Sequence, residues 1–251
     1  MLDVKGLSVR YPRSSSDAVR NVSFSLERGS FTGLVGESGS GKSTMISAAL
    51  GLLPHGSAVS GEILFDGRSL LGMDEEALRE IRWRDISLVP QGAMNSFTPV
   101  ITIGRHIEEV LEVHSGMTGH EASCRTAALL EECGLDANIA RKYPHELSGG
   151  QKQRAAIALA LACSPKLLLA DEPTTALDVV TQMGILKLLA HERESRGLTV
   201  LLVTHDLPMA ASVCGRLLVM KDGELVESGT PRQIATEPRH EHTKALVRAM
   251  L

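Results

Sequence analysis

Chain positions 36–44 carry the run Gly36-Glu37-Ser38-Gly39-Ser40-Gly41-Lys42-Ser43-Thr44, which satisfies the pattern G-x-x-x-x-G-K-[ST]. An apolar run from Phe31 to Val35 precedes it and is typical of a buried strand, and the residues from Thr44 to Leu53 have the composition of a helix. A strand, a glycine-rich loop and a helix in this order form the context in which the pattern binds nucleotide phosphates. The sequence therefore predicts a nucleoside triphosphate site at this phosphate loop, residues 36–44.

The residue types in the phosphate loop have physical roles. Gly36, Gly39 and Gly41 let the backbone curl with its N–H groups inward, and the following helix adds the positive end of its dipole. In this pattern Lys42 bridges the β- and γ-phosphates of ATP, and the Ser43 hydroxyl ligates Mg²⁺. The predicted cradle also includes the other members of the run, Glu37, Ser38, Ser40 and Thr44. The alternative is a glycine-rich turn whose lysine is solvated.

Composition limits the class of protein. A chain of 251 residues with 43% hydrophobic content can bury the core of one large α/β domain, alone or with a subdomain. Its net charge of -4 argues against a dedicated nucleic-acid binder. The amino terminus has no apolar core of signal-peptide length, and no apolar run approaches the roughly 18 residues of a membrane-spanning helix, so we expect a soluble, cytoplasmic chain.

The cysteines are too dispersed for a disulfide framework or a zinc site, and we expect reduced, buried thiols. They are Cys124, Cys133, Cys163 and Cys214.

Hydrophobic periodicity predicts an order of elements along the chain. Strands are predicted at 2–10, 22–26, 61–65, 86–89, 167–170 and 198–203, with two more within 216–228. Helices are predicted at 74–83, 103–114, 120–133, 150–163 and 179–196, followed by short helical pieces to Leu251. The early strands indicate an antiparallel β layer, the stretch 92–164 a helical subdomain, and the later alternation of strands and helices a parallel sheet.

Two adjacent carboxylates, Asp171 and Glu172, end the apolar run that begins at Leu167. The end of a parallel strand is where an open α/β sheet presents its ligand site. Asp171 fits a carboxylate that holds Mg²⁺, and Glu172 fits a general base that polarises the attacking water. The alternative is a pair of helix-capping or surface acids.

The run Leu147-Ser148-Gly149-Gly150-Gln151, here called the LSGGQ motif, identifies a family. Combined in order with the phosphate loop, Gln91, Asp171-Glu172, the turn Ala176-Leu177-Asp178 and His205, it resembles the ATP-binding subunit of ABC transporters. The resemblance covers essentially the whole chain. It implies one α/β ABC domain with a RecA-like parallel-sheet core and antiparallel β layer (about 1–91 and 165–230), an inserted helical subdomain (about 92–164) and a helical tail (231–251).

The resemblance also implies roles for single residues. Ser148, Gly149, Gly150 and Gln151 would open a helix towards the γ-phosphate of ATP held by an opposite subunit, so that a complete site needs a dimer. Gln91 would sense Mg²⁺ and water, and His205 would contact the γ-phosphate. The alternatives are an ordinary strand-end amide for Gln91 and a structural histidine for His205.

Two further positions keep their alternatives open. Tyr11 resembles the aromatic residue that stacks on adenine, but could equally be a packing tyrosine. Asp178 resembles the aspartate that passes across the dimer interface, and a simple helix cap is an almost equal interpretation. Both interpretations of Asp178 can hold together.

The stretches from Gln91 to Val100 and from Pro238 to Leu251 look like the peptide/nickel importer branch of the family. The short end without a cysteine cluster is closer to nickel or metallophore members. This implies a second ABC subunit, homologous or identical, two integral membrane permease subunits, an extracellular substrate-binding protein, and a peripheral place on the cytoplasmic face of the membrane. No nucleic-acid partner is expected.

Other interpretations remain. One is a soluble ABC ATPase in repair or ribosome work, and another is a non-hydrolysing regulatory cassette. His240 and His242 form an exposed His-x-His, which we expect not to be a metal site because a third ligand is lacking.

Overall fold

A computed structural model describes residues 1–249 of the chain. The strands, labelled β1 to β10 in chain order, are Leu2–Arg10, Val19–Leu26, Phe31–Val35, Ala58–Phe65, Arg68–Ser69, Ile86–Val89, Leu167–Asp171, Thr199–Thr204, Arg216–Lys221 and Glu224–Gly229. The helices, labelled α1 to α9, are Lys42–Ala49, Glu75–Ile81, Ile103–Ser115, Gly119–Glu132, Gly149–Ala160, Val179–Arg196, Leu207–Val213, Pro231–Thr236 and Glu241–Arg248. Short 3₁₀ turns occupy Ala93–Asn95, Ala137–Arg141 and Pro144–Glu146. The predicted helical tail reaches Leu251, and its last two residues lie outside the described part of the chain.

The predicted elements are confirmed in type and order, but β2 and β4 each begin three residues before their predicted starts and β5 has no predicted counterpart. Two further differences concern helices. Helix α1 begins at Lys42 and ends at Ala49, rather than spanning 44–53, because Gly41 (φ 101°) starts it and Gly51 (φ 64°) leaves the helical region. Helix α7 has no counterpart among the predicted elements, since it is short and carries a proline in its first turn. Along residues 1–249, none of the helices combines the length and apolar composition that a bilayer crossing requires.

The chain forms two compact units. The first unit comprises Met1–Leu78 and Thr199–Leu251, and the second comprises Arg79–Leu198. The second unit therefore holds the helices of the stretch 92–164 together with β6, β7 and α6. The division into a core and a helical subdomain with limits at 92 and 164 stays a prediction.

In the first unit, β1 pairs antiparallel with β2 and with β4, in a sheet of order β2-β1-β4-β5. The buried apolar residues of β1 are Leu2, Val4, Leu7 and Val9. The step from Val4 to Leu7 breaks the two-residue period, and a register shift with Gly6 in the left-handed region (φ 57°) accommodates the extra residue. The bulge thus keeps one apolar face along the whole strand.

The other strands of the first unit surround β3, whose five residues are all buried. β3 runs parallel to β8 and to β9, and β10 adds an antiparallel strand to β9. Val35 at the end of β3 is in register with Thr204 at the end of β8. The loops after these strands therefore leave the same edge, where open parallel sheets bind ligands.

In the second unit, β6 and β7 are parallel, with Val89 in register with Ala170. The helices bury their apolar faces in a core that includes Ile107, Leu129 and Ile157. Helix α3 begins with a capping Thr102, whose side chain accepts a hydrogen bond from the amide of Arg105. The carboxyl ends of β6 and β7 therefore lie at the same edge of the sheet. The residues that follow each strand can come into contact there.

Gly104 in α3 provides a test of packing in the second unit. A Cβ at this position would lie 2.7 Å from the carbonyl oxygen of Ala140. Helix propensity alone predicts that Gly104→Ala stabilises the protein, but the backbone clash should instead lower the free energy of unfolding by about 1–3 kcal/mol. Urea unfolding measures the change. The control is Gly215→Ala, which meets nothing within 4 Å and should shift stability by less than about 1 kcal/mol; equal midpoints for the two variants would contradict the prediction.

The cysteines are reduced, but the expectation that all are buried is wrong. Cys133 and Cys214 are buried, and burial raises the pKa of each thiol to about 12. Cys163 is half-buried, and Cys124 is exposed because it lies on the outward face of α4. The two buried thiols are therefore protonated and unreactive at neutral pH.

Candidate nucleotide-binding site

The phosphate loop leaves β3 and leads directly into α1 in the first unit. At two positions of the loop only glycine fits, because a side chain there would collide with neighbouring backbone. A Cβ on Gly36 would lie 2.3 Å from the carbonyl oxygen of Met220, and one on Gly41 would lie 2.4 Å from that of Ala18. Real Cβ contacts essentially never come so close, so the loop reaches this path only with glycine at both positions.

The loop closes around the ammonium group of Lys42. Lys42 Nζ donates hydrogen bonds of 2.8 Å to the carbonyl oxygens of Gly36 and Glu37, and its side chain is buried. The loop backbone therefore holds a positive charge in place at the start of α1, where the helix dipole already favours an anion. The exposed members of the predicted cradle are Glu37, Ser38, Gly39 and Ser43, whereas Ser40 and Thr44 are buried.

Tyr11 lies beside the phosphate loop. Its hydroxyl is 3.0 Å from the hydroxyl oxygen of Thr44, which lies in α1, and the residue is half-buried. This hydrogen bond fixes the end of Tyr11 against the helix that follows the loop. The contact is compatible with both sequence-based interpretations, a packing tyrosine and a ring available to a base.

His205 follows β8 at the same edge as the phosphate loop. It is exposed and directly follows Thr204, the register partner of Val35. The turn is held by the Thr204 hydroxyl, which accepts a hydrogen bond of 3.0 Å from the amide of Asp206, and Asp206 caps α7. The first unit thus brings the loop, Tyr11 and His205 to one edge of its parallel strands.

The second unit brings together Gln91 and Glu172. Asp171 is the last residue of β7 and is buried, and Glu172 follows it with φ at 47°, in the left-handed region. The Glu172 carboxylate accepts hydrogen bonds from Gln91 Nε2 at 3.3 Å and from the Thr175 hydroxyl at 2.9 Å. The parallel register of β6 and β7 explains why Gln91 and Glu172 meet.

The LSGGQ motif opens α5, as the sequence predicts. Ser148 is the N-cap and its hydroxyl accepts a hydrogen bond of 3.3 Å from the amide of Gln151. Gln151 Oε1 in turn accepts one of 3.0 Å from the amide of Ser148, which completes a capping box. Gly149 and Gly150 therefore lie in the first turn of a capped helix, and Gly149 is exposed.

Asp178 is the N-cap of α6. Its carboxylate accepts hydrogen bonds from the amide of Thr181 at 3.0 Å and from the Thr181 hydroxyl at 2.6 Å. The hydrogen bond from the Thr181 hydroxyl lowers the pKa of the Asp178 carboxyl below its ordinary value, and the hydrogen bond from the Thr181 amide lowers it further by a smaller amount. The helix-cap interpretation is therefore confirmed, and the role at an interface stays a prediction.

The expectation of an exposed His-x-His near the end of the chain is wrong for His242. This residue is only 5% exposed, and its Nδ1 lies 3.8 Å from a carboxylate oxygen of Glu37 in the phosphate loop. Burial lowers the pKa of the His242 ring, which favours its neutral form. Among the described residues, no group of three or more histidines, cysteines or acids is arranged to hold a metal ion.

Sequence reasoning missed two threonines that hold these acids. Thr175 donates to Glu172 and Thr181 donates to Asp178. In both cases the threonine stands three residues after the acid, which is the spacing at which a side chain at the start of a turn or helix reaches its partner. That spacing is a signal that the sequence already contained.

The chain has relatives among known proteins. A family model described as "ABC transporter" matches residues 19–175. The chain is 48% identical to the peptidoglycan transport ATP-binding protein YejF of Agrobacterium fabrum and 42% identical to the dipeptide transport ATP-binding protein DppD of Haemophilus influenzae. It is 40% identical to the oligopeptide transport ATP-binding protein OppD of Bacillus subtilis.

These matches cover 99–100% of this chain. The chain spans 47% of YejF, 77% of DppD and 72% of OppD. A solved dimeric structure of the ATP-binding cassette MJ0796, in a post-hydrolysis state bound to ADP and phosphate, is 35% identical with a TM-score of 0.81. That likeness covers 92% of this chain and 99% of the other, and it confirms the predicted α/β phosphate-loop cassette fold.

Proposed function

This chain belongs to the ABC transporter family, and from that premise we propose that it is the ATP-hydrolysing subunit of an ABC importer. The observation that carries the proposal is the start of α5, where the LSGGQ motif forms a capped helix with two glycines in its first turn. A phosphate loop is common to many nucleotide-hydrolysing proteins, whereas this second anion-binding feature is specific to ABC cassettes. The relatives named as transport ATP-binding proteins support the same assignment.

Within this proposal, ATP is bound by the phosphate loop, residues 36–44, with Tyr11 beside the base. Ser43, Gln91 and Asp171 are the residues that would hold Mg²⁺, because their hydroxyl, amide and carboxylate oxygens are the donor types that Mg²⁺ prefers. Bound Mg²⁺ would supply positive charge against the phosphates. Glu172 takes a proton from the attacking water, and His205 orients the γ-phosphate.

The working unit in this proposal is a dimer of cassettes. Ser148, Gly149, Gly150 and Gln151 of one copy complete the site formed by the phosphate loop of the other, and Asp178 lies at the interface. The second cassette is a copy of this chain or a homologous subunit. The dimeric state of the MJ0796 cassette supports this arrangement.

The transport partners are two integral membrane permease subunits and an extracellular substrate-binding protein, with this chain held peripherally on the cytoplasmic face of the membrane. The cargo is a peptide or a nickel or metal chelate. The relatives are named for dipeptides, oligopeptides and peptidoglycan, and these names favour the peptide class. The net charge of -4 supports the expectation that nucleic acid is not a partner.

Affinity purification of the tagged chain from detergent-solubilised membranes tests the proposal. The expected result is co-purification of two membrane proteins, with ATP hydrolysis by the complex. Purified binding proteins loaded with a dipeptide or with a nickel chelate then identify the cargo by which one stimulates hydrolysis. Recovery of an active ATPase that never associates with membrane proteins would favour the soluble ABC ATPase instead.

Val100 provides a specific test of coupling to a membrane partner. This residue is 80% exposed and lies in the stretch 91–100, which looks like the peptide/nickel importer branch and where we place the contact with the membrane subunits. Val100→Asp should lower peptide uptake by at least about tenfold, the loss typical of one interface hot spot, while ATP affinity stays unchanged. Uptake of a radiolabelled dipeptide into proteoliposomes measures the effect. Val113→Asp, at a 57% exposed position on α3, is the control and should transport normally; normal uptake by both variants would remove Val100 from the coupling surface.

A further inference from the structure

The starts of α5 and α6 are in direct contact inside the second unit. A Cβ placed on Gly150 would lie 2.8 Å from Cγ2 of Thr181. The methyl group of Thr181 therefore occupies the space in front of Gly150 that any larger residue would need. The LSGGQ motif is thus packed against a threonine that lies outside every motif recognised in the sequence.

The same threonine holds Asp178 through its other branch. Its hydroxyl donates to one carboxylate oxygen of Asp178 at 2.6 Å, and its amide donates to the other at 3.0 Å. Both branches of a β-branched side chain turn about the single χ1 bond. With the hydroxyl on Asp178, the direction of the methyl group towards Gly150 is fixed as well.

We propose that Thr181 is a positioning residue, which fixes the Asp178 turn and the Gly150 end of the LSGGQ helix in one relative arrangement. The inference rests on the proposed function, because Asp178 and Gly150 both face the second cassette there. In this role Thr181 acts through Asp178 and Gly150 and not on the nucleotide itself. It acts by presenting Asp178 and the first turn of α5 to the partner as one preformed surface, so that dimer closure does not have to order them.

Two substitutions separate the effect of the Thr181 hydroxyl from that of its methyl group. Thr181→Val keeps a methyl group towards Gly150 and removes the hydroxyl, whereas Thr181→Ser keeps the hydroxyl and removes the methyl group. The amide of residue 181 still donates to the capping carboxylate of Asp178 in both variants, so the helix should stay folded. Thr236→Val, at an exposed threonine on α8, is the control for the substitution itself.

The first measurement needs no activity. NMR titration of the Asp178 carboxyl group in the isolated chain should show a depressed pKa in the wild type and in Thr181→Ser, and a pKa closer to the ordinary value in Thr181→Val. Amide hydrogen exchange should be faster at the start of α5 in Thr181→Ser than in the wild type. An unchanged Asp178 pKa in Thr181→Val, with unchanged exchange in Thr181→Ser, would overturn the proposal.

The second measurement is ATP hydrolysis as a function of ATP concentration. Loss of one hydrogen bond to a charged group should lower kcat of Thr181→Val by about tenfold, with KM changed less than about twofold because the phosphate loop is untouched. Thr181→Ser should retain more of kcat, and Thr236→Val all of it. Equal kcat in Thr181→Val and wild type would overturn the positioning role. If the wild-type chain hydrolyses no ATP in the presence of its partners, the proposed function is wrong. The NMR measurement still tests the Thr181 geometry in that case.

Discussion

Glu172→Gln is expected to lower ATP hydrolysis by about 10²–10⁴-fold, the range for loss of a general base, while ATP still binds. The carboxylate of Glu172 is held by Gln91 and Thr175 at the end of β7. Glutamine has nearly the same shape and can keep an acceptor oxygen for these donors, but it cannot take a proton from water. The phosphate loop lies in a different part of the sequence and should be unaffected.

The expected consequence is a trapped state. If ATP closes two cassettes and hydrolysis lets them part, Glu172→Gln should accumulate as an ATP-bound dimer, detected by size-exclusion chromatography with and without ATP. Glu131→Gln makes the same chemical change at an exposed position on α4 and should hydrolyse ATP normally. Wild-type turnover in Glu172→Gln would remove Glu172 from the role of base.

The fold was predictable where the sequence carries local signals. Helix α6 has its predicted limits because Asp178 caps its start and Gly197, at φ 67°, ends it. Strand β1 has its predicted limits because its apolar residues keep one face, with Gly6 absorbing the bulge. The start of α1 differs from the prediction because Gly41, which precedes the helix, belongs to the phosphate loop. The loop motif itself does not mark where the helix begins.

The sequence indicates candidate site residues one by one, but it does not indicate the contacts between them. The motifs indicated Glu172, Asp178 and Gly150, because each chemical role demands a residue type at a fixed spacing. The burial of His242 against Glu37 was not predictable, since it depends on how the end of the chain folds back onto the phosphate loop. The contact of Thr181 with Gly150 likewise depends on the packing of two helices that are distant in sequence.

Gly41→Ala is expected to abolish measurable ATP binding. Gly41 has φ at 101°, and a Cβ there would lie 2.4 Å from the carbonyl oxygen of Ala18. The backbone must move, and Lys42, the next residue, moves with it. Loss of two charge-assisted hydrogen bonds to the phosphates, at about 1.5–3 kcal/mol each, corresponds to at least about 100-fold in the dissociation constant. Isothermal titration with ATP measures the affinity.

Gly67→Ala separates the clash from the cost of the backbone conformation. Gly67 has φ at 80° but nothing within 4 Å of a Cβ, so alanine there carries the left-handed penalty of about 1–2 kcal/mol without a collision. Both variants should lose stability in thermal unfolding without ATP, and only Gly41→Ala should lose the stabilisation that ATP adds to the wild type. If Gly41→Ala fails to fold, Lys42→Met tests the same cradle, because it removes the charge that Gly36 and Glu37 hold and leaves Gly41 in place. Wild-type ATP affinity in a folded Gly41→Ala or in Lys42→Met would show that the loop is not the phosphate site.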